Sequence, residues 1–138
     1  MSIQNLNELI PPVCDTAIQA GKVIKKYYKS KMNILLKDDN SPITLADLES
    51  NKLIKNSLIE IDNNIPILSE EGLVNWSIRK NWQTYWLVDP LDGTKEFIKE
   101  NDEFTVNIAL INKNRPVLGI IYAPALEVIY FSYKNGGS

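Results

Sequence analysis

The chain has 138 residues, 44% apolar and 23% charged, with 15 basic against 17 acidic side chains and a formal net charge of -2. That is the size of one modest domain able to bury a core without staples, and its charge balance lacks the concentrated positive footprint that a nucleic-acid backbone requires. Histidine is absent and cysteine occurs once, which excludes Ser-His-Asp and Cys-His catalysis, an internal disulfide, and zinc sites built from histidine or clustered thiolates.

The opening MSIQNLNELI has no basic leader before an apolar run and no cleavage site, so no secretion signal is expected. No stretch approaches the roughly twenty apolar residues of a membrane span. Cytoplasm is the expected compartment, in keeping with the lone Cys14, with peripheral contact at the cytoplasmic face of the inner membrane left open.

From Pro12 onward, Val13, Ala17, Ala20, Ile24 and Tyr27 recur at helical spacing, which predicts a helix started by Pro12 with these residues on its core face. Lys22, Lys25, Lys26, Lys29, Lys31 and Lys37 follow without an intervening acid; a solvated face and loop is the first reading, contact with an anionic ligand the second. After the polar stretch KDDNSP, the run TLADLESNKLIKNSLIEI predicts a second amphipathic helix with Leu45, Leu48, Leu58 and Ile61 among its apolar positions. Thr44 is placed as its N-cap and Asp47 at the third helical position, where the two can satisfy exposed amides reciprocally. Asn63, Asn64 and Pro66 break the helix, and a short extended run IPIL ends at Ser69-Glu70-Glu71.

Residues 72–83 read as a mixed loop in which Trp76 and Trp82 act as local packing anchors or as a lid over a pocket. YWLV is the next strand, expected to end at Asp89-Pro90 because proline cannot continue central pairing, with Gly93 opening a tight turn before Thr94. From Glu103 the period becomes two: Phe104, Val106, Ile108 and Leu110 share one face, and Thr105, Asn107, Ala109 and Ile111 the other. The turn NKNRP, the run VLGIIYA, a turn at Pro124-Ala125 and EVIYFSY complete an antiparallel meander, since each connection is too short for a crossover helix.

The stretch WLVDPLDGTKEF carries the chemistry. Asp89 and Asp92 flank a proline turn at a strand end, and two carboxylates held together repel unless a proton or cation lies between them. Hard cations such as magnesium take this oxygen chemistry, with the Leu91 carbonyl as a third ligand. Glu70 ends a neighbouring strand and can approach the pair, with Glu71 behind it or in solvent. Gly93 and Thr94 offer a close backbone approach and a hydroxyl to an anion. Spacing alone leaves this open between a metal-holding carboxylate cage and an Asx-type turn.

IPILSEE, NSPITLAD, YWLVDPLDGTKEFI and the EFTVNIAL strand resemble the lithium-sensitive inositol monophosphatase superfamily, most nearly its bacterial 3'(2'),5'-bisphosphate nucleotidase branch; the Lys-Glu-Phe after WLVDPLDGT and the YWLV segment favour that branch. The resemblance implies an α+β fold, the N-terminal portion of a layered α/β sandwich, with two helices followed by a largely antiparallel sheet. It implies Mg2+ at two or more positions: Glu70, Asp89 and the Leu91 carbonyl as ligands of the first and Asp92 of the second. Asp47 and Thr94 would orient and deprotonate the attacking water with help from Glu70. Glu70, Leu91, Asp92, Gly93 and Thr94 would line the reacting phosphate.

The implied reaction is hydrolysis of adenosine 3',5'-bisphosphate to AMP and phosphate, as in enzymes that clear the nucleotide left by sulfate assimilation. The partner is then a small phosphorylated nucleotide, not a nucleic-acid polymer. Family members resemble a longer two-part sandwich whose second half supplies a further aspartate ligand and much of the adenine and ribose pocket. Residues 1–138 are therefore expected to be an N-terminal metal-binding α+β domain lacking the family's C-terminal domain, with the second metal position incomplete and activity impaired. The missing half or a homo-oligomer would cover the sheet. The alternatives are an inositol- or sugar-phosphate phosphatase, and an inactive metal- or phosphate-binding remnant or subunit.

Overall fold

A computed structural model describes residues 5–28, 35–36, 42–72 and 74–134. Lys29, Lys31 and Lys37 of the predicted basic stretch, and residues 37–41 of the polar stretch, lie outside the described residues.

Helix α1 spans Leu6–Tyr27 and carries Pro11 and Pro12 inside it, so it begins before the predicted start at Pro12. The two prolines remove helical hydrogen bonds, but Leu6, Leu9 and Ile10 are buried, and each such burial contributes about 1.5–3 kcal/mol. That outweighs the lost bonds and carries the helix backwards through the prolines. Val13, Ala17, Ala20 and Ile24 form the predicted core face, each fully buried. Lys22, Lys25 and Lys26 are exposed, and Lys25 pairs with Glu127 at 3.0 Å, a solvated face as expected.

Two short strands, β1 (Leu35–Leu36) and β2 (Pro42–Ile43), pair antiparallel before α2 (Leu45–Ile61). Helix α2 turns Ala46, Asp47, Ser50, Ile54 and Leu58 inward. Leu45 and Leu48, read from the sequence as part of its apolar pattern, are exposed instead, because the inward stripe starting at Ala46 is lined by small and polar residues that reach other elements by hydrogen bonds.

The main sheet contains β3 (Ile67–Ser69), β4 (Thr84–Asp92), β5 (Thr105–Asn112), β6 (Arg115–Ala123) and β7 (Val128–Tyr133) in that order. Its first pair is parallel and the others antiparallel, the largely antiparallel α+β arrangement expected. The meander turns as predicted: Lys113 and Asn114 both adopt positive φ (51° and 65°) between β5 and β6, the backbone of a tight hairpin.

Strand β4 does not stop at Asp89-Pro90. It continues to Asp92, and the β4–β5 register slips between Asp89 and Asp92. Proline is barred from a central ladder because it has no N–H to give; here it falls in the irregularity, where none is required.

Both long helices lie on one face of the sheet, over Trp86, Val88, Val106, Ile108, Leu110, Leu118 and Ile120, all at most 1% exposed. Helix α1 comes in close at Gly21, where a Cβ would meet the Tyr122 ring (2.8 Å to Cδ2). The opposite face is left bare by the described residues: Leu87 is 40%, Ile121 48% and Tyr130 65% exposed. Within the predicted 72–83 loop a short helix α3 (Trp76–Arg79) forms. Trp82 packs toward Tyr85, 5.9 Å between ring centroids, whereas Trp76 anchors no core; it is 63% exposed with the Arg79 guanidinium 4.9 Å from its ring centroid.

Candidate active site

Helix α4 (Thr94–Ile98) follows β4 directly, with Gly93 as its N-cap at φ +92°. A Cβ there would lie 2.9 Å from the Glu103 carbonyl oxygen, so both the left-handed backbone and the close approach require glycine. The short helix is pinned by Phe97, whose ring sits 5.2 Å from Phe104 and 5.4 Å from Tyr28. Tyr28 in turn accepts a hydrogen bond from the Asp102 amide at 2.8 Å. This packing fixes where Thr94 stands.

Thr94 faces the start of α2. Its hydroxyl donates to Asp47 Oδ1 at 2.9 Å, with the Leu91 carbonyl 3.4 Å away. Asp47 Oδ2 closes the predicted capping box: it accepts from the Thr44 amide at 2.8 Å and the Thr44 hydroxyl at 2.6 Å, while the Asp47 amide donates to Thr44 Oγ1 at 3.4 Å. Asp47 is fully buried. One carboxylate thus serves two contacts: one oxygen closes the capping box and the other accepts from the Thr94 hydroxyl.

The acidic residues gather at the neighbouring strand ends. The parallel register pairs Ser69 with Val88, and the Glu70 amide continues it by donating to the Val88 carbonyl at 3.1 Å, which sets Glu70 beside Asp89. Both line a cleft of about 340 Å³ on the bare face of the sheet, with Asn107, Leu87 and Ile121 among its other walls. The Asp89 carboxyl is pushed up to about 7, first by burial, then by the charges of Asp92 and Glu70, and to a lesser extent of Glu71; the Leu91 backbone N–H works the other way. Asp92 is exposed and accepts a hydrogen bond from Asn107 Nδ2 at 2.9 Å.

Among the described residues, no three His, Cys, Asp or Glu side chains converge as a group able to hold a metal ion. Glu70 follows the end of β3, while Asp89 and Asp92 lie three residues apart on β4, where Asp92 is held by Asn107. The donor set itself is consistent with a hard cation. Carboxylates of Glu70, Asp89 and Asp92 and the Leu91 carbonyl offer oxygen only, the ligand chemistry of magnesium rather than zinc.

The sequence reading missed the residues that bind this site to α2. Ser50 donates to the Pro90 carbonyl at 2.7 Å, holding the irregular stretch of β4. Asn51 donates to the Glu71 carbonyl at 3.0 Å and accepts from Ser69 Oγ at 2.6 Å, and Ser69 Oγ accepts from the Glu71 amide at 3.2 Å. The ring of bonds seats the loop that carries Glu70 on the helix that carries Asp47. Asp47, Ser50 and Asn51 lie at helical spacing on one side of α2, and polar residues on an inward stripe were the one available signal.

A layered helix-and-sheet fold, with an Asp–Thr pair meeting a carboxylate-bearing strand end, defines a class. The chain belongs to the inositol monophosphatase family, whose profile matches residues 5–138, and within it to the CysQ-like branch. It is 49% identical over 124 residues to the 3'(2'),5'-bisphosphate nucleotidase CysQ of Escherichia coli O6:H1, covering 88% of this chain and 50% of that protein. The nucleotidase CysQ of Buchnera aphidicola is 48% identical over 137 residues, covering 97% of this chain and 52% of its own length. The crystal structure of CysQ from Bacteroides thetaiotaomicron, described as a bacterial member of the inositol monophosphatase family, superposes with a TM-score of 0.72 at 43% identity, over 91% of this chain and 46% of that one. The chain therefore spans about half the length of the curated relatives it matches.

Proposed function

We propose that residues 1–138 form the metal-binding α+β portion of a magnesium-dependent phosphomonoesterase that converts adenosine 3',5'-bisphosphate to AMP and phosphate. The observation that carries the reading is the bond between the buried Asp47 and the half-buried Thr94, 2.9 Å between Oδ1 and Oγ1, set against the end of the strand bearing Asp89, Leu91 and Asp92. The nucleotidase relatives, at 48–49% identity, support the choice of substrate.

In this reading Glu70, Asp89, the Leu91 carbonyl and Asp92 would hold Mg2+. A bound ion would supply neutralisation of phosphate charge and acidity to the attacking water. Thr94 Oγ1 receives the proton of the attacking water as its own hydroxyl proton passes to Asp47 Oδ1, making Asp47 the general base. The two Thr44 hydrogen bonds on Oδ2 keep that carboxylate aimed. Glu70 helps place the water, while Gly93, lacking a Cβ, lets the phosphate approach the backbone beside Thr94. Ser50, through the Pro90 carbonyl, holds the strand end that presents these groups.

The bare sheet face, with Leu87, Ile121 and Tyr130 exposed, is read as the surface that a further part of the protein or a second copy covers. A cytoplasmic setting and a role in clearing the nucleotide by-product of sulfate assimilation complete the proposal; the free thiol of Cys14 is in keeping with that compartment.

The test is magnesium-dependent phosphate release from adenosine 3',5'-bisphosphate beside inositol 1-phosphate, by the chain and by Asp89→Asn. Preferential release from the nucleotide, abolished by the substitution, is expected. Preference for inositol 1-phosphate would move the chain to the sugar-phosphate side of the family, release unaffected by Asp89→Asn would sink the metal role, and no release from a folded chain would mark it as a subunit or remnant.

A further inference from the structure

Asn107 stands directly opposite Asp89 in the β4–β5 register and lines the same cleft as Glu70 and Asp89. Its amide nitrogen donates to Asp92 Oδ2 at 2.9 Å, which fixes the orientation of the amide: the reverse flip would set two acceptors against each other. The carbonyl end is thereby turned elsewhere, and Asn107 Oδ1 is a buried oxygen without a hydrogen-bond partner among the described residues. An unmet acceptor in a buried position is costly, and an apolar side chain on this strand would avoid it. Two of the neighbouring positions on the same face, Ala109 and Ile121, are apolar.

We propose that Asn107 is a positioning residue for the divalent cation: its nitrogen holds Asp92 in place and its Oδ1 is a further, neutral oxygen toward the ion. The inference rests on the metal reading given above. Neutrality is what the position calls for. Glu70, Asp89 and Asp92 already repel one another, and a fourth carboxylate would add to that repulsion, whereas an amide supplies an oxygen and a donor without charge. The cross-strand spacing of directly opposed residues keeps Asn107 within reach of the Asp89 carboxylate.

Two substitutions separate this role from plain packing, with Mg2+ affinity read by calorimetry and melting temperature read without added cation. Asn107→Leu keeps the bulk and loses both polar contacts; Mg2+ affinity is expected to fall about ten- to hundredfold, the usual cost of removing a group that orients metal ligands, while the cation-free melting temperature holds or rises. A merely structural Asn107 would show the opposite, a lower melting temperature with affinity unchanged, and that result overturns the proposal. Asn107→Asp keeps an oxygen but loses the donor that holds Asp92 and adds a charge; it is expected to melt lower without cation and to bind Mg2+ more weakly than the parent, and binding as tight as the parent's overturns the proposal even if the leucine variant fails to fold. Absence of Mg2+ binding by the unaltered chain would sink the metal reading together with this one, whereas binding by the parent that Asn107→Leu leaves intact sinks this inference alone.

Discussion

Asp47 and Asp89 are both acids at the same end of the molecule, yet their surroundings are finished to different degrees. Asp47 is sealed in: Thr44 satisfies one oxygen twice and Thr94 the other, so its charge is met within the fold. Asp89 is crowded by Asp92 and Glu70, and its carboxyl rises to about 7 under burial and their charge. The first half of the site is paired by the helix cap that α2 needs in any case. The second is a set of repelling oxygens, two on β4 and one just beyond the end of β3. Pairing and repulsion therefore divide the site between a part that stabilises the protein and a part that costs stability until its charge is countered.

The largest effect expected from breaking this contrast lies on the paired side. Asp47→Ala removes the cap and strands the Thr44 and Thr94 hydroxyls, and should cost about 2–4 kcal/mol in urea unfolding, the sum of a cap and an unmet buried partner. Asp47→Asn, keeping the shape, should unfold later than Asp47→Ala yet lower phosphate release by about 10²–10⁴, the span of a lost general base.

The repelling side gives a pH test. The folded carboxyl of Asp89 holds its proton up to about 7 against an ordinary value of 3.8, so between those values the unfolded chain ionises first. Cation-free stability should fall as pH climbs through that window and level off above it. Asp89→Asn should flatten the slope and stabilise the chain at pH 8; a slope unchanged by the substitution would show that other groups cause it. Protons and cation compete for the same oxygens, so magnesium affinity should rise as pH passes through about 7.

Smaller effects come from the groups that join the two halves. Ser50→Ala leaves the Pro90 carbonyl without its donor and should cost about 1–2 kcal/mol by chemical denaturation. Gly93→Ala, strained at φ +92°, should cost a similar amount, about 1–2 kcal/mol, with a larger loss of turnover than of stability, because Thr94 moves. Tyr130→Ser on the bare face should stay within about 0.5 kcal/mol in the isolated chain, and a larger loss would mean that this face is already covered in solution.

Local patterns explain what was legible in the sequence. Thr44 and Asp47, three residues apart, announce a capping box, and the alternation from Phe104 to Ile111 fixes the two faces of β5. Resemblance, not spacing, joined Asp47 to Thr94, because a contact across 47 residues has no periodic signature. Ser50, Asn51, Ser69 and Asn107 escaped notice for a related reason: each makes one or two hydrogen bonds that depend on register, and common polar residues carry no mark of it. The prolines misled twice. Pro12 suggested a helix start and Pro90 a strand end, but buried leucines upstream and a register slip downstream overrode both local rules.

The division of the site is tested most directly by the rise in melting temperature that Mg2+ produces in the parent chain, Asp89→Asn and Asp47→Asn. A ligand present at about a thousandfold over its dissociation constant stabilises by about 4 kcal/mol, and each tenfold loss of affinity removes about 1.4 kcal/mol of that. The expected result is a rise in the parent, a rise of similar size in Asp47→Asn from its lower baseline, and little or none in Asp89→Asn. Equal rises in all three, or a rise lost only in Asp47→Asn, would contradict the assignment of cation binding to the repelling carboxylates.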